Sequence, residues 1–310
     1  MTTILFAAGK KAWPLWEAPL RAALTQAGVA ATVVLDAEPA EVDIMIYAPG
    51  GETPDDFSPY VNCQAVLSLW AGVERIVGNP TLTQPLCRMV DPGLTQGMVE
   101  YVVGHAMRAH LGMDAVLAAQ TGEWAPVIPP LASERPIAIL GIGALGAACG
   151  QALAGLGFDV LGWSRTAKSV DGIACFHGDD GLRDVLHRAE IVVTLLPATP
   201  ETENTLNAER LSWLPKGAAI INPGRGTLID DDALLAALET GQVSQATLDV
   251  FRVEPLPSRH PYWAHPRVTV TPHIAADTRP ETAAHVVVEN ARRLLANEPL
   301  MNVVNRVAGY

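Results

Sequence analysis

One segment constrains this chain more than any other: Pro136-Ile137-Ala138-Ile139-Leu140 running directly into Gly141-Ile142-Gly143-Ala144-Leu145-Gly146. An alanine-rich stretch with helical character continues from there to about Leu156. A Gly-x-Gly-x-x-Gly pattern alone says little, but strand, glycine turn and helix in this order specify a parallel α/β unit whose helix start can receive a diphosphate. Gly141 can take the tight turn, Gly143 lets a ligand approach the backbone, and Gly146 permits close packing of helix on strand. The unpaired N–H groups of the first helical turn, around Ala144 and Leu145, favour an anion.

The rest of the chain extends the same architecture. Strand-like runs at Thr3–Ala7, Thr32–Leu35, Ile44–Tyr47 and Ala65–Leu69 alternate with helical stretches such as Leu15–Ala27, which Gly28 would stop. A periodic segment from Gly97 to about Gln120 predicts one long helix. The segment from Gly122 to Arg135 is rich in proline and predicts an extended loop around Trp124. A last helix is expected over roughly Glu281–Ala296. At 310 residues the chain accommodates two domains. The expected division is 1–97 with 288–310 for a substrate-binding domain, and 98–287 for a dinucleotide-binding domain.

The strand after the glycine loop, Asp159–Trp163, ends in Ser164-Arg165-Thr166-Ala167-Lys168. A site selective for NAD usually places a carboxylate there, bonded to the ribose 2′-hydroxyl. Ser164, Arg165, Thr166 and Lys168 instead suit a 2′-phosphate, so NADP(H) is expected and NAD(H) is less favoured. Further along, the run Ile191–Leu196 closes at Pro197, and the loop to Thr202 could pack on the adenosine or ribose. Leu196, Pro197, Thr202, Asn222, Pro223, Gly224 and Asp249 complete the expected cofactor lining.

Three later segments each begin where an apolar run ends: Asn222-Pro223-Gly224-Arg225-Gly226, Leu248-Asp249-Val250-Phe251 running to Glu254-Pro255, and Thr271-Pro272-His273. In open parallel sheets ligands bind beyond the carboxyl ends of the strands, so the three segments should face one crevice. Arg225 can hold a carboxylate with two N–H groups. His273 is suited to general acid catalysis, and Glu254 to keeping its ring protonated and oriented. An arginine near the Asp230-Asp231-Asp232 helix start could instead serve only those carboxylates. His260, His265 and His285 show no comparable partner in the pattern.

With these motifs in this order, the chain resembles the D-isomer-specific 2-hydroxyacid dehydrogenases, over nearly its full length. Within that family it resembles the glyoxylate/hydroxypyruvate reductase A group through Gly162-Trp163-Ser164-Arg165-Thr166, Leu256-Pro257, Thr278-Arg279-Pro280 and the ending Gly309-Tyr310. The resemblance implies an α/β fold: a Rossmann-type doubly wound parallel sheet with a second, smaller flavodoxin-like α/β substrate domain. It implies hydride transfer to a small 2-oxo acid, with Arg225 binding substrate and His273 and Glu254 handling the proton. It further implies that the backbone of Ala71, Gly72 and Val73 cradles the substrate carboxylate, and that nucleotide domains pair into a homodimer with Trp124 against the partner. The family usually carries glycine where Trp70 stands and aspartate where Glu74 stands. Tyr47, Trp70 and Arg279 are expected to shape the pocket. Bulkier 2-oxo acids are an alternative substrate class, and a dinucleotide-sensing scaffold like the C-terminal binding protein corepressors is an alternative of another kind.

Composition narrows the remaining classes. A net charge of −12 argues against a nucleic-acid surface. No apolar run approaches the ~20 residues that span a bilayer. The start, Met1-Thr2-Thr3-Ile4-Leu5-Phe6, lacks a signal-peptide pattern, and the cysteines at 63, 87, 149 and 175 show no metal-ligand spacing. A cytoplasmic protein with reduced thiols and no metal is expected.

Overall fold

The computed structural model describes residues 2–50 and 53–309; Met1 and Tyr310, quoted above in the two termini, lie outside them. The chain divides into two compact units, Met1–Leu94 with Asp277–Tyr310, and Thr95–Ala276.

Unit 1 begins β1 (Thr2–Ala7), α1 (Trp13–Ala27), β2 (Ala31–Val34), β3 (Ile44–Tyr47), β4 (Ala65–Ser68) and β5 (Leu86–Cys87). All five strands are parallel in the order β2-β1-β3-β4-β5, the flavodoxin-like arrangement. β3 and β4 are buried on both faces, which is why they read as unbroken apolar runs. One face packs Ile4, Phe6, Ile44, Ile46 and Leu67 against α1 and against Ala283, Ala284, Val287, Val288 and Ala291 of the last helix, α8 (Pro280–Leu295). Those five small and branched residues share one stripe of α8, so the helix belongs whole to unit 1. The expected boundary at 287/288 would cut it mid-stripe; in the structure the chain crosses between Ala276 and Asp277. Gly28 ends α1 in the left-handed conformation, at φ 63°.

Helix α2 (Pro92–His110) starts at the end of unit 1's first segment and from Thr95 onward is part of unit 2. The single helix expected over 97–120 is two helices: Gly112, left-handed at φ 63°, separates α2 from α3 (Met113–Ala118). The pattern of apolar residues continues across this break, so periodicity alone does not reveal it. An extended stretch then leads to β6 (Pro136–Leu140), α4 (Ala144–Gly155), β7 (Asp159–Ser164), β8 (Ala174–His177), α5 (Gly178–Arg188) and β9 (Ile191–Thr194). They are followed by α6 (Ala208–Ser212), β10 (Ala218–Asn222), α7 (Asp231–Thr240), β11 (Val243–Leu248) and β12 (Val268–Val270).

The seven strands of unit 2 are parallel in the order β12-β11-β10-β9-β6-β7-β8. The order reverses between β6 and β9, which makes a doubly wound sheet with its switch point beside the glycine loop. Alternate residues of β6 enter different cores. Ala138 and Leu140 pack with the α5 and α7 side, and Ile137 and Ile139 with the α2 and α4 side. The edge strand β8 escapes a simple apolar reading because its residues are only partly buried. Among the described residues no helix is long and apolar enough to cross a membrane.

Candidate active site

The glycine loop has the geometry its sequence demands. Gly141 sits at φ 110°, and a Cβ there would lie 2.5 Å from the Leu195 carbonyl oxygen of the neighbouring strand exit. A Cβ on Gly146 would collide with the Gly141 carbonyl, so α4 can start this close to β6 only with glycine. At Gly143, by contrast, a Cβ would meet nothing within 4 Å. No side chain caps α4, leaving the first-turn N–H groups, those of Ala144 and Leu145 among them, for an external acceptor. An open approach at Gly143 with an uncapped helix start fits a dinucleotide diphosphate.

At the end of β7 no carboxylate stands. Arg165, Thr166 and Lys168 are exposed there, while Ser164 is buried and its hydroxyl donates to the Thr166 carbonyl at 2.8 Å. A hydroxyl has one proton, and Ser164 uses it here on the turn that carries the two cations. Arg165 is also close enough to Glu201 to help hold that carboxyl below its ordinary value, after the larger effects of a backbone N–H and Thr199. Thr202 likewise turns inward: its hydroxyl donates to the Pro197 carbonyl at 2.6 Å and accepts from the Thr199 N–H at 2.9 Å, closing the loop after β9. Leu196 is buried in the core on the α5 side.

The exits of β10, β11 and β12 are adjacent in the sheet, so Arg225, Glu254 and His273 leave it from neighbouring strands. Asn222, the last residue of β10, is fully buried and builds the first exit. Its Oδ1 accepts from Thr194 Oγ1 at 2.6 Å and from the Gly224 N–H at 3.1 Å, and its Nδ2 donates to the Arg225 carbonyl at 3.0 Å. Pro223 and Gly224 are buried beside it, and the Arg225 guanidinium donates to the Gly224 carbonyl at 2.7 Å. A Cβ at Gly226 would collide with the backbone of Phe251, so glycine lets the arginine turn lie directly on the β11 exit. Asp230 caps Ala233 and Asp231 accepts from the Tyr262 hydroxyl at 2.9 Å, so these two acids have work at the α7 start.

Glu254 and His273 are paired. Glu254 Oε1 accepts from the Phe251 N–H at 2.9 Å, and Oε2 lies 2.8 Å from His273 Nδ1. Both side chains are partly exposed, and Nε2 of His273 has no hydrogen-bond partner among the described residues. A ring anchored at Nδ1 by a carboxylate presents Nε2 as the atom that can give or take a proton. His273 has a left-handed backbone, φ 55°. Its N–H donates to the carbonyls of Asp249 and Thr271 at 2.9 and 3.0 Å. The fully buried Asp249 carboxylate accepts from Thr271 Oγ1, Ile274 N–H and Ala275 N–H at 2.6, 2.9 and 2.9 Å. Asp249 thus fastens the whole turn that carries the histidine. His260 and His265 do have acidic neighbours, Asp231 and Glu239, at 3.9 and 3.5 Å, both of them residues of α7.

Two further ties to these turns carry no motif in the sequence. Arg252 donates to Asn204, to the Ile229 carbonyl at 2.8 Å and to Glu203 at 3.2 Å, bracing the β11 exit against the loops that follow β9 and β10. Tyr101 of α2 bonds Thr271 at 2.7 Å. Both act across more than twenty residues of chain, which local patterns cannot reveal.

In unit 1 the loop after β4 carries Trp70, Ala71, Gly72 and Val73. The N–H groups of Ala71, Gly72 and Val73 have no acceptor among the described residues. Thr278 Oγ1 donates to the Leu69 carbonyl at 2.7 Å, tying the segment that holds Arg279 to the start of this loop. Trp70 is 40% exposed and Arg75 lies 5.8 Å over its ring. Tyr47 departs from its expected place on the pocket. It is only 4% exposed and packs on Phe57, ring centroids 5.4 Å apart, in the core beneath β3. The last residue of a strand can face either core or crevice, and here the 57–82 segment covers it.

The D-isomer specific 2-hydroxyacid dehydrogenase, NAD binding domain family matches residues 101–275. A glyoxylate/hydroxypyruvate reductase A from Yersinia enterocolitica is 39% identical over 304 residues, covering 95% of this chain and 96% of the relative. A D-isomer specific 2-hydroxyacid dehydrogenase from Xanthobacter autotrophicus Py2, solved with NADPH and MES, shares 40% identity at a TM-score of 0.92, covering 100% of this chain and 99% of that one. An NADPH-dependent glyoxylate/hydroxypyruvate reductase from Sinorhizobium meliloti, solved with NADP and sulfate, shares 30% identity at a TM-score of 0.86 over the whole of both chains. The fold, the glycine loop, the three strand exits and these similarities agree, and the chain belongs to the D-isomer specific 2-hydroxyacid dehydrogenases.

Proposed function

We propose that the protein reduces small 2-oxo acids, glyoxylate and hydroxypyruvate among them, to 2-hydroxy acids with NADPH. The observation that carries this reading is the His273–Glu254 pair at 2.8 Å, held beside the Arg225 turn at the carboxyl ends of adjacent strands. The Yersinia and Sinorhizobium proteins with that activity in their names support the substrate class, and NADPH or NADP in the Xanthobacter and Sinorhizobium structures supports the cofactor.

Bound NADPH would supply the hydride, held by the N–H groups of the Gly143–Gly146 turn, by Arg165 and Lys168 at its 2′-phosphate, and by the β9 to β11 exits. The chain's own residues do the rest. Arg225 binds the substrate carboxylate and polarises its carbonyl, Nε2 of His273 delivers the proton to the carbonyl oxygen, and Glu254 holds the ring and its positive charge. The free N–H groups at Ala71, Gly72 and Val73 form a second element suited to a carboxylate. Four free cysteines, three of them buried, suit the reducing cytoplasm in which we place this reaction.

The exposed Trp70 indole favours a second reading, in which a flat ring stacks there and phenylpyruvate is the better substrate. Steady-state kcat/KM for glyoxylate, hydroxypyruvate, pyruvate and phenylpyruvate, each with NADPH and with NADH, decides between them. We expect hydroxypyruvate or glyoxylate to lead and NADPH to exceed NADH by at least tenfold, since one charge-assisted hydrogen bond contributes about 1.5–3 kcal/mol. Phenylpyruvate in the lead would transfer the assignment to bulkier acids. No turnover with any of the four would leave only the dinucleotide-binding scaffold.

A further inference from the structure

The turn that carries His273 is held from two directions. Asp249 binds it from inside the sheet through Thr271, Ile274 and Ala275. From the other side Tyr101, one helical face into α2, places its hydroxyl 2.7 Å from Thr271 Oγ1. The direction of these bonds follows from proton counting. Thr271 donates its single hydroxyl proton to Asp249 Oδ1 at 2.6 Å. Tyr101 must therefore donate to Thr271. Burial pushes the Tyr101 phenol up to about 12, outweighing the lowering effect of Thr271, so it keeps that proton at neutral pH. The His105 ring packs on Tyr101 at 4.4 Å between centroids, and burial followed by the Arg108 charge moves His105 below its ordinary value.

The same threonine governs the histidine. The Thr271 carbonyl accepts the His273 N–H at 3.0 Å, and His273 sits at φ 55°, a conformation that non-glycine residues keep only where their surroundings impose it. Without Tyr101, the Thr271 hydroxyl would have one fewer constraint on its rotation, and the turn would lose this hydrogen bond to α2. We propose that Tyr101 is a positioning residue for the reaction: acting through Thr271, it fixes the left-handed His273 turn on the buried Asp249 carboxylate. This rests on the reading of His273 as the proton donor, but the physical link can be tested apart from turnover.

The test is a double-mutant cycle with Tyr101→Phe, Thr271→Val and both together, and with Thr271→Ser as the conservative replacement. Turnover with NADPH and hydroxypyruvate is measured beside the NADPH dissociation constant from fluorescence. The amide and ring resonances of His273 are followed in ¹⁵N-histidine-labelled protein without cofactor, assigned by their loss in His273→Gln. We expect Tyr101→Phe to lower kcat on the order of tenfold, with NADPH affinity changed less than threefold and the His273 resonances displaced. Thr271→Ser should keep near-normal turnover and remain sensitive to Tyr101→Phe. Thr271→Val should abolish that sensitivity, because groups acting through one another do not add. Independent, multiplying effects of the two substitutions, or unmoved His273 resonances in folded Tyr101→Phe protein, would overturn the proposal. Displaced resonances in a protein that reduces no 2-oxo acid would instead leave the link standing and remove the proposed function.

Discussion

At the scale of single residues, the protein shows which side chains chemistry makes conspicuous. Arg225, Glu254 and His273 stand out in the sequence because a cation, a carboxylate and an imidazole follow three apolar runs, and the structure puts them on adjacent strand exits. Their supports are less conspicuous. Asn222 and Asp249 spend their polar atoms on adjoining backbone and on the Thr194 and Thr271 hydroxyls, so they hold the exits in shape whatever else they bind. Ser164 and Thr202 are similar, since each hydroxyl proton goes to a nearby carbonyl. His273→Gln should lower turnover by about two to four orders of magnitude, the usual contribution of a positioned general acid, and leave the NADPH dissociation constant nearly unchanged. Glu254→Gln preserves the side-chain shape but removes its charge, so the loss should be smaller. Steady-state kinetics with parallel fluorescence titrations would check both, and wild-type turnover in His273→Gln would remove this residue from the proton step.

At the scale of elements, close approach is the governing constraint. Helix α4 starts against β6 only because position 146 has no side chain. Gly146→Ala would push the helix start away from the loop, and over-packing of this kind costs about 1–3 kcal/mol. A lower unfolding midpoint together with weakened NADPH binding is the expected result; unchanged values of both would contradict the packing argument. The end of α2 supports a prediction about pH. His110 is buried against Phe158, ring centroids 5.0 Å apart, and first burial, then the charge of Arg135, lowers its pKa. The folded state therefore binds this proton less readily than the unfolded chain does. The stability involved is fully present above the ordinary histidine value near ~6.5 and is lost as pH falls through the lowered folded value. Urea midpoints at pH 7.5 and 5.0 should fall more on acidification in the wild type than in His110→Phe, which keeps a ring and cannot titrate. An equal fall in both would rule out His110 as a source of acid sensitivity.

At the scale of the whole molecule, unit 2 carries a surface that a lone chain does not explain. Leu117, Trp124, Val127, Ile128 and Leu131, in α3 and the segment after it, are all more than half exposed, with Trp124 at 94%. Trp124 therefore does not fold back onto its own unit. Large exposed apolar groups of this kind, an aromatic anchor included, mark association surfaces. We propose that two copies of the chain pair through this segment. The wild type should sediment as a dimer at micromolar concentration, and Trp124→Ser with Ile128→Ser should shift it toward monomer without lowering the unfolding midpoint of the monomer. A wild-type monomer under these conditions would refute the pairing.

The sequence by itself determined the parts whose physics is local. Apolar runs buried on both faces specify parallel strands, and glycines at 141, 143 and 146 specify a turn and a helix start open to a diphosphate. Reactive residue types just beyond strand ends specify the chemistry. Tertiary structure decided what depends on distant partners. It broke the 97–120 helix at Gly112, kept α8 whole on one core of unit 1, and turned Tyr47 into the unit's other core, with Phe57. It also joined Tyr101 to Thr271 across 170 positions of chain. A residue's face, its hydrogen-bond partner and its burial are set by what packs against it, and periodicity within one segment carries no information about that neighbour.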